Sequence, residues 1–142
     1  MIFSTDMALQ TLGRVPLFAG VDSVTLQRLA ERSRLLVLRS GDAVARRGRP
    51  QTQLFIVHDG KLEICMHGRE GKRHMVRHLL PGEVFGLIPI LDGGPAVHDA
   101  DAHGATELLQ LPSDAILSEL QTKPVLARRL LQLMCNRSRQ LY

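Results

Sequence analysis

Two hydrophobic periodicities divide the chain into a helical start, a β-rich middle and a helical end. Up to about residue 33, apolar residues recur at three- and four-residue intervals, which is the spacing of amphipathic helices. Gly13 is placed to end the first helix, and Asp22 or Ser23 is placed to cap the second. The pattern therefore predicts N-terminal helices over residues 6–33.

The middle of the chain, residues 34–111, follows the alternation of β-strands. Turn-forming pairs recur there about every 8–12 residues, a spacing typical of an all-β sandwich or barrel. Apolar residues alternate on both sides of Asp59-Gly60, so residues 54–64 are predicted to form a hairpin. The sequence thus predicts a mainly β protein with flanking helices.

Helical spacing returns after residue 112, and the pattern predicts C-terminal helices over residues 113–142. Ser113 is placed to cap a first short helix. Pro124 then suits the first position of a longer helix, which runs from Val125 to about Tyr142. Apolar residues form a broken stripe along this last helix, while its arginines lie largely elsewhere.

Composition places the chain among ordinary globular domains. Its 142 residues are 44% hydrophobic and 23% charged, so we expect residues 1–142 to form one domain with a real core. The net charge of +4 permits anionic ligands but is weak support for nucleic-acid binding. The two cysteines are far apart, and neither a leader segment nor an apolar membrane span is apparent. We therefore expect a cytoplasmic protein with free thiols.

The stretch from Pro81 to Leu91 is the main candidate for chemistry. It opens with a Pro-Gly turn, and Gly82 and Gly86 can adopt backbone angles that other residues avoid. The apolar run that follows Gly86 fits one short helical turn. A glycine-rich bend that leads into a helix directs backbone N–H groups at one point, which suits a phosphate or another anion. A tight turn next to a buried helix would produce the same local pattern.

The motif Pro81-Gly82-Glu83-x-Phe85-Gly86, followed by an apolar turn, resembles the phosphate-binding cassette of cyclic-nucleotide-binding domains. It is most similar to the sensor half of bacterial CRP/FNR transcription regulators. Residues 15–21, 40–48 and 54–64 resemble further family motifs in the same order. The resemblance implies a double-stranded β-helix, also called a β-roll or jelly roll, with N-terminal helices and a long C-terminal helix.

Two positions depart from the pattern of the family members that bind cAMP. Those members have a Glu after the cassette glycine, which binds the ribose, and later an Arg, which binds the cyclic phosphate. Leu87 stands at the Glu position, and residues 93–99 contain no Arg. The departures argue against ordinary cAMP binding, because a phosphate without a cation loses its charge-assisted hydrogen bonds. Arg73, Arg77 or an arginine of the last helix could supply a substitute cation.

The resemblance implies a ligand site at the cassette and a dimer contact on the last helix. The candidate ligands are a cyclic nucleotide (cAMP or cGMP) or another small effector. The predicted ligand-binding residues are Gly82, Glu83, Phe85, Gly86, Leu87, Ile88, Ala96, Val97 and His98. The predicted dimerisation residues are Leu126, Leu130, Leu133, Met134 and Leu141.

The family's mechanism is allosteric. A ligand in the β-roll repositions the C-terminal helix of a homodimer, and a following helix-turn-helix domain binds DNA. That DNA-binding half would begin where this chain stops, so we expect DNA contact only through a domain absent from it. A ligand-free dimerisation or interaction module on the same scaffold is the alternative function.

Histidines and acidic residues near the end of the β-rich region raise the alternative of a metal-dependent β-barrel enzyme. Asp99, Asp101 and His103 share one face of a predicted strand, and His98 lies on the other. A polar strand face explains this row more simply than a cation site does. A cupin enzyme would need His-x-His, which the sequence lacks. A haem ligated by Cys65, His74 or His78 is a weaker alternative. We therefore predict no enzyme activity and no metal ligands.

Overall fold

The computed structural model describes residues 4–140, and its elements follow the predicted order of helices, strands and helices. The helices are α1 (Thr5–Gly13), α2 (Ser23–Arg32), α3 (Leu87–Asp92), α4 (Ser113–Thr122) and α5 (Pro124–Gln140), with a single 3-10 turn at Pro16–Phe18. The strands are β1 (Arg34–Leu38), β2 (Ala43–Ala45), β3 (Gln53–Asp59), β4 (Leu62–His67), β5 (Arg73–Leu79), β6 (Val84–Phe85), β7 (Asp99–Ala102) and β8 (Thr106–Pro112).

The strands form two antiparallel four-stranded sheets that make up the predicted β-roll. The first sheet has the order β1-β8-β3-β6 and the second has the order β2-β7-β4-β5. Strand β8 lies between β1 and β3, with Leu109 opposite both Leu35 and Ile56. Strand β7 lies between β2 and β4, with Asp101 opposite Glu63. The predicted fold class is confirmed.

Strands β3 and β8 of the first sheet are buried on both faces, which explains the continuous apolar run in β3. Leu54 and Ile56 pack into one core with the helices, whereas Phe55 and Val57 pack into a second core between the sheets. Successive side chains of a strand point to opposite faces, so an apolar run serves both cores. The helices therefore cover one face of the first sheet, and the second sheet covers the other.

The predicted hairpin over residues 54–64 is wrong. Strands β3 and β4 belong to different sheets, and the turn at Gly60 carries the chain from the first sheet to the second. The hairpin partner of β4 is β5, with Glu63 opposite His78. Local alternation identified the strands and the turn correctly. It could not reveal that each strand finds its partners elsewhere in the chain.

Of the two helix caps that the sequence predicts, the structure confirms the one at Asp22 and not the one at Ser113. The side chain of Ser4 accepts a hydrogen bond from the backbone N–H of Met7, and that of Asp22 accepts one from Thr25. The predicted cap at Ser113 is wrong, because α4 begins one residue earlier than a Ser113 cap requires. Pro112 occupies the N-cap position without a side-chain hydrogen bond. No helix within residues 4–140 is long and apolar enough to cross a membrane.

Candidate functional site

The cassette is a tight bend from β5 through β6 into α3, and Gly86 is its pivot. Gly86 is the N-cap of α3 with φ of 105°, in the left-handed region that glycine favours. A Cβ atom at this position would lie 2.2 Å from Nε2 of Gln51 and 2.8 Å from the carbonyl oxygen of Gln53. The bend therefore requires glycine for its backbone angles and for its close contact with the segment before β3.

The first turn of α3 points its side chains in different directions. Leu87 is only 1% exposed and packs into the core beneath the helices, whereas Ile88 is 42% exposed. Phe85, just before the bend, packs into the core between the sheets. Of these three predicted ligand-binding residues, Ile88 alone presents its side chain to solvent.

The loop after α3 returns along the segment between β2 and β3. The backbone N–H of Gly48 donates to the carbonyl of Ala96 (2.8 Å), and the N–H of Ala96 donates to the carbonyl of Arg49 (2.9 Å). Ala96 is buried in the core between the sheets, while Val97 is 41% exposed. The two segments border an open cavity of about 210 Å³, lined by Gly48, Pro50, Gln51, Thr52, Gly93, Gly94 and Pro95.

His98 ends this loop, half-buried beside a positive charge. Burial is the main cause that lowers the pKa of His98, and the charge of Arg47 lowers it further against the opposing effect of Asp99. Its Nδ1 atom has no hydrogen-bond partner among the described residues. His98 is therefore biased towards the neutral form.

Comparison with known protein families identifies the family to which this fold and cassette belong. The model of the cyclic nucleotide-binding domain family matches residues 35–123, which is more than half of the chain. The chain belongs to this family. The match begins in β1 and continues through the cassette to the end of α4.

A curated relative of this cyclic nucleotide-binding domain is a "CRP-like cAMP-activated global transcriptional regulator" of Mycobacterium tuberculosis. It is 24% identical over 131 residues, which cover 92% of the chain and 58% of the relative. The chain thus spans little more than half the length of that regulator. The domain is therefore related to the CRP/FNR regulators, as the sequence predicts.

Solved structures of two bacterial proteins share the fold. The sensor domain of the transcriptional regulator DNR from Pseudomonas aeruginosa has a TM-score of 0.84 and 26% identity, covering 96% of this chain and 91% of that chain. The Catabolite Activator Protein of Thermus thermophilus has a TM-score of 0.80 and 27% identity, covering 89% of this chain and 59% of that chain.

The cassette of this cyclic nucleotide-binding domain is in direct contact with the last helix. Nη2 of Arg137, on α5, donates a hydrogen bond to the backbone carbonyl of Val84 (3.0 Å). Burial lowers the pKa of Arg137, and the nearby charge of Arg77 adds to this effect. Arg77 in turn pairs with Glu83 at 2.9 Å. Sequence reasoning placed Glu83 in the ligand site, whereas its carboxylate is occupied by this ion pair.

Two of the cations that the sequence suggested as phosphate partners, Arg73 and Arg77, are already engaged in ion pairs. Arg73 contacts Asp99 and Asp101 on the second sheet, and Arg77 pairs with Glu83. Arg47 was missed, because Arg47-Gly48 was interpreted only as part of a family motif and not as a source of charge at the site. Its backbone N–H donates to Asp99 (2.9 Å), and its charge acts on His98 next to the cassette loop.

The predicted dimerisation residues are mostly covered within the chain itself. Leu126 and Leu130 are buried in the core beneath the helices, and Leu133 and Met134 are partly buried against it. Leu141 lies outside the described residues. Two other apolar residues of α5 are exposed instead, namely Val125 (48% exposed) and Leu131 (66% exposed).

The acidic and histidine row around β7 does not form a single group. Asp99 and Asp101 contact arginine side chains, with Nη2 of Arg46 2.8 Å from Oδ1 of Asp101. His98 lies by the cassette loop. His103 instead approaches Glu63 on β4, with 3.2 Å between Nδ1 and Oε2.

Proposed function

We propose that the chain is the effector-sensing domain of a CRP/FNR-type transcription regulator. In this proposal a small anionic effector binds between the cassette and the loop over residues 93–98. Binding then changes how the cassette holds α5. The hydrogen bond from Arg137 to the carbonyl of Val84 carries the proposal, because it joins the cassette directly to the last helix.

The transmission step follows from where this bond is placed. Val84 belongs to β6, immediately before the Gly86 bend, so movement of the cassette changes the position of its carbonyl. An effector shifts α5 only through its different affinity for the two arrangements. A shift of α5 would alter a homodimer contact and the orientation of any DNA-binding domain that follows.

The cassette chemistry favours an effector other than ordinary cAMP. Residues 93–99, the segment where the resemblance puts the phosphate-binding arginine, contain no arginine, and Leu87 is turned into the core. Arg47 supplies positive charge near His98 from the opposite segment. We therefore expect a small anion to bind more readily than a cyclic nucleotide, whose ribose hydroxyl would lack a carboxylate partner.

Calorimetric titration of the purified, metal-free protein with cAMP and cGMP tests the effector. We expect weak binding or none by the natural sequence and a measurable gain for Val97→Arg. Val97 is exposed, so the substitution should not disturb the core. Val37→Arg, the same change at an exposed position of β1, is the matched control. Equal affinities for Val97→Arg and Val37→Arg would contradict a binding site at the cassette loop.

The coupling is tested separately by hydrogen exchange. We expect Arg137→Ala to increase amide exchange in the C-terminal part of α5 and around the cassette bend. The substitution removes the hydrogen bond to the carbonyl of Val84, which joins these two segments. Arg139→Ala removes an arginine from the same helix and is the control. Unchanged exchange at the bend in a folded Arg137→Ala protein would overturn the coupling.

A ligand-free dimerisation module is the second candidate, favoured by the exposed side chain of Leu131. Leu131 is 66% exposed on α5, next to the buried Leu130. Sedimentation of Leu131→Asp should give monomers if this face forms the dimer. Leu130→Asp would test the fold instead, because Leu130 is part of the chain's own core. A Leu131→Asp dimer as stable as the natural one would place the interface elsewhere.

A further inference from the structure

Three side chains of types that can ligate a metal ion lie close together on the outward face of the second sheet, away from the core between the sheets. Glu63 lies on β4, His78 lies directly opposite it on β5, and His103 follows the end of β7. The backbone N–H of His103 donates to the carbonyl of Lys61 (3.0 Å), which fixes the start of the loop after β7 beside β4. The sheet thus brings together one residue from β4, one from β5 and one from the end of β7, which are adjacent in the sheet.

The distances are close to those of a metal site. Nδ1 of His103 lies 3.2 Å from Oε2 of Glu63, and the rings of His78 and His103 are 4.9 Å apart between centroids. One ligand atom from each of the three residues lies within 4.8 Å of the other two. Tetrahedral ligands about 2.0–2.1 Å from a zinc ion are separated by about 3.4 Å. One pair already has this spacing, and small side-chain rotations would bring in the third ligand.

The charge of the group also suits a cation. Glu63 supplies a carboxylate, which is ordinarily ionised at neutral pH, and the two histidines supply neutral nitrogen ligands. The thiol of Cys65, 3.7 Å from Oε1, contacts the carboxylate oxygen that does not face His103 and helps to orient it. Asp101 lies on β7, opposite Glu63. By contrast with Glu63, it forms ion pairs with Arg46 and Arg73. Within residues 4–140, Glu63 forms ion contacts with histidine and with no arginine or lysine.

We propose that Glu63, His78 and His103 form a binding site for a divalent transition-metal ion such as Zn²⁺. Two imidazoles and one carboxylate suit zinc, nickel, cobalt or iron, whereas Mg²⁺ and Ca²⁺ prefer oxygen ligands throughout. Three protein ligands leave a tetrahedral ion one further position for water or another ligand. Because the ligands come from β4, β5 and the end of β7, the ion ties three strands of the second sheet together.

Calorimetric titration of the chelator-treated, tag-free protein with Zn²⁺ tests the site. We expect one ion per chain, with Mg²⁺ unable to compete. His78→Ala and His103→Ala should each weaken binding at least about tenfold, since even the loss of an outer hydrogen-bond partner costs about 10–100-fold. His74→Ala removes another exposed histidine of β5 that lies outside the cluster, and it should leave the affinity unchanged.

The zinc affinities of these variants also show which results would contradict the proposed site. The natural protein failing to bind Zn²⁺, or the double variant His78→Ala/His103→Ala binding it as tightly, would overturn the proposal. An equal loss in His74→Ala would also overturn it. Circular dichroism checks that each variant folds, and Glu63→Gln gives an independent test, because it keeps the size of the side chain and removes the charge. Addition of Zn²⁺ should raise the melting temperature of the natural protein but not that of Glu63→Gln.

Discussion

The outward faces of the two sheets are built from opposite chemistry. The first sheet turns Leu54, Ile56, Leu109 and Leu111 towards the helices, and all four are fully buried there. The corresponding face of the second sheet carries Glu63, Asp99, Asp101, Arg73 and His78, joined largely by ion pairs. Both sheets share the apolar core between them, so only one sheet needs a second apolar face.

The difference shows where this fold depends on packing and where it is free to carry charge. An antiparallel sheet can be stable with one face in the core and the other towards solvent. The helices therefore fix the first sheet, while the outward face of the second can hold ionisable groups close together. Charge, rather than packing, should govern how substitutions on that second face behave.

The largest effect is expected in the core beneath the helices. Leu109→Ala should lower the free energy of unfolding by about 2–5 kcal/mol, because it leaves a cavity between the first sheet and the helices. Met75→Ala, at a position 53% exposed on β5, should change it by less than about 0.5 kcal/mol. Urea denaturation measures both. Similar losses at the two positions would mean that the faces do not differ as described.

The turn that joins the two sheets should be nearly as sensitive. Gly60 has φ of 83°, and an added Cβ would lie 2.5 Å from the carbonyl oxygen of Ala105. Gly60→Ala should therefore cost about 1–3 kcal/mol of backbone strain and a steric clash in addition. Gly41→Ala is the control, since Gly41 has φ of 88° but no atom within 4 Å of its added Cβ. If thermal denaturation gives equal losses, backbone strain alone accounts for the turn.

An intermediate effect is expected in the ionic network of the second sheet. Asp101→Asn should destabilise the protein by about 1–3 kcal/mol, because Arg46 and Arg73 lose a buried charged partner. Asp59→Asn changes an exposed carboxylate at the end of β3 and should have little effect. Thermal denaturation at neutral pH compares the two. An Asp101→Asn protein as stable as the control would show that the network adds little to stability.

The smallest effect is expected from the pH dependence of His98 beside the cassette. Burial lowers its folded pKa below the ordinary value of 6.5, so the unfolded chain binds a proton more readily. Its contribution to stability is present above pH 6.5 and is lost as the pH falls from there towards the lowered pKa. His98→Gln should flatten this part of the stability profile, whereas His74→Gln should not. Identical slopes would rule out His98 as the group responsible.

The sequence predicted elements better than it predicted their partners. Asp22, Pro124 and the alternating strands carry local signals, and the structure places each in the expected element. The pairing of β3 with β8 joins residues far apart in the chain, and no local pattern encodes it. Family resemblance supplied the β-roll that periodicity alone could not distinguish from other sandwiches or barrels.

The bend at the candidate site was predictable from the sequence, because its signals are local. The cassette is continuous in sequence, and its glycines stand at the bend where they were expected. The contact of Arg137 with Val84 and the group of Glu63 with His103 span 53 and 40 residues, respectively. Spacing carries no information on such contacts. Leu87 illustrates a finer limit, because only the direction of the first turn of α3 decides that its side chain enters the core.

Helix α5 is attached to the rest of the domain more firmly in its first half than in its second. Its first half is fixed by Leu126 and Leu130, which are buried in the core, and its second half is held by Arg137. Gln140 lies ten positions after Leu130, a distance of about 15 Å along the helix at 1.5 Å per residue. A tilt of about 10° around Leu130 would displace the far end by about 2.6 Å over this length. A movement of less than about 1 Å near the pivot would therefore become a displacement of about 2.6 Å at the end of the helix.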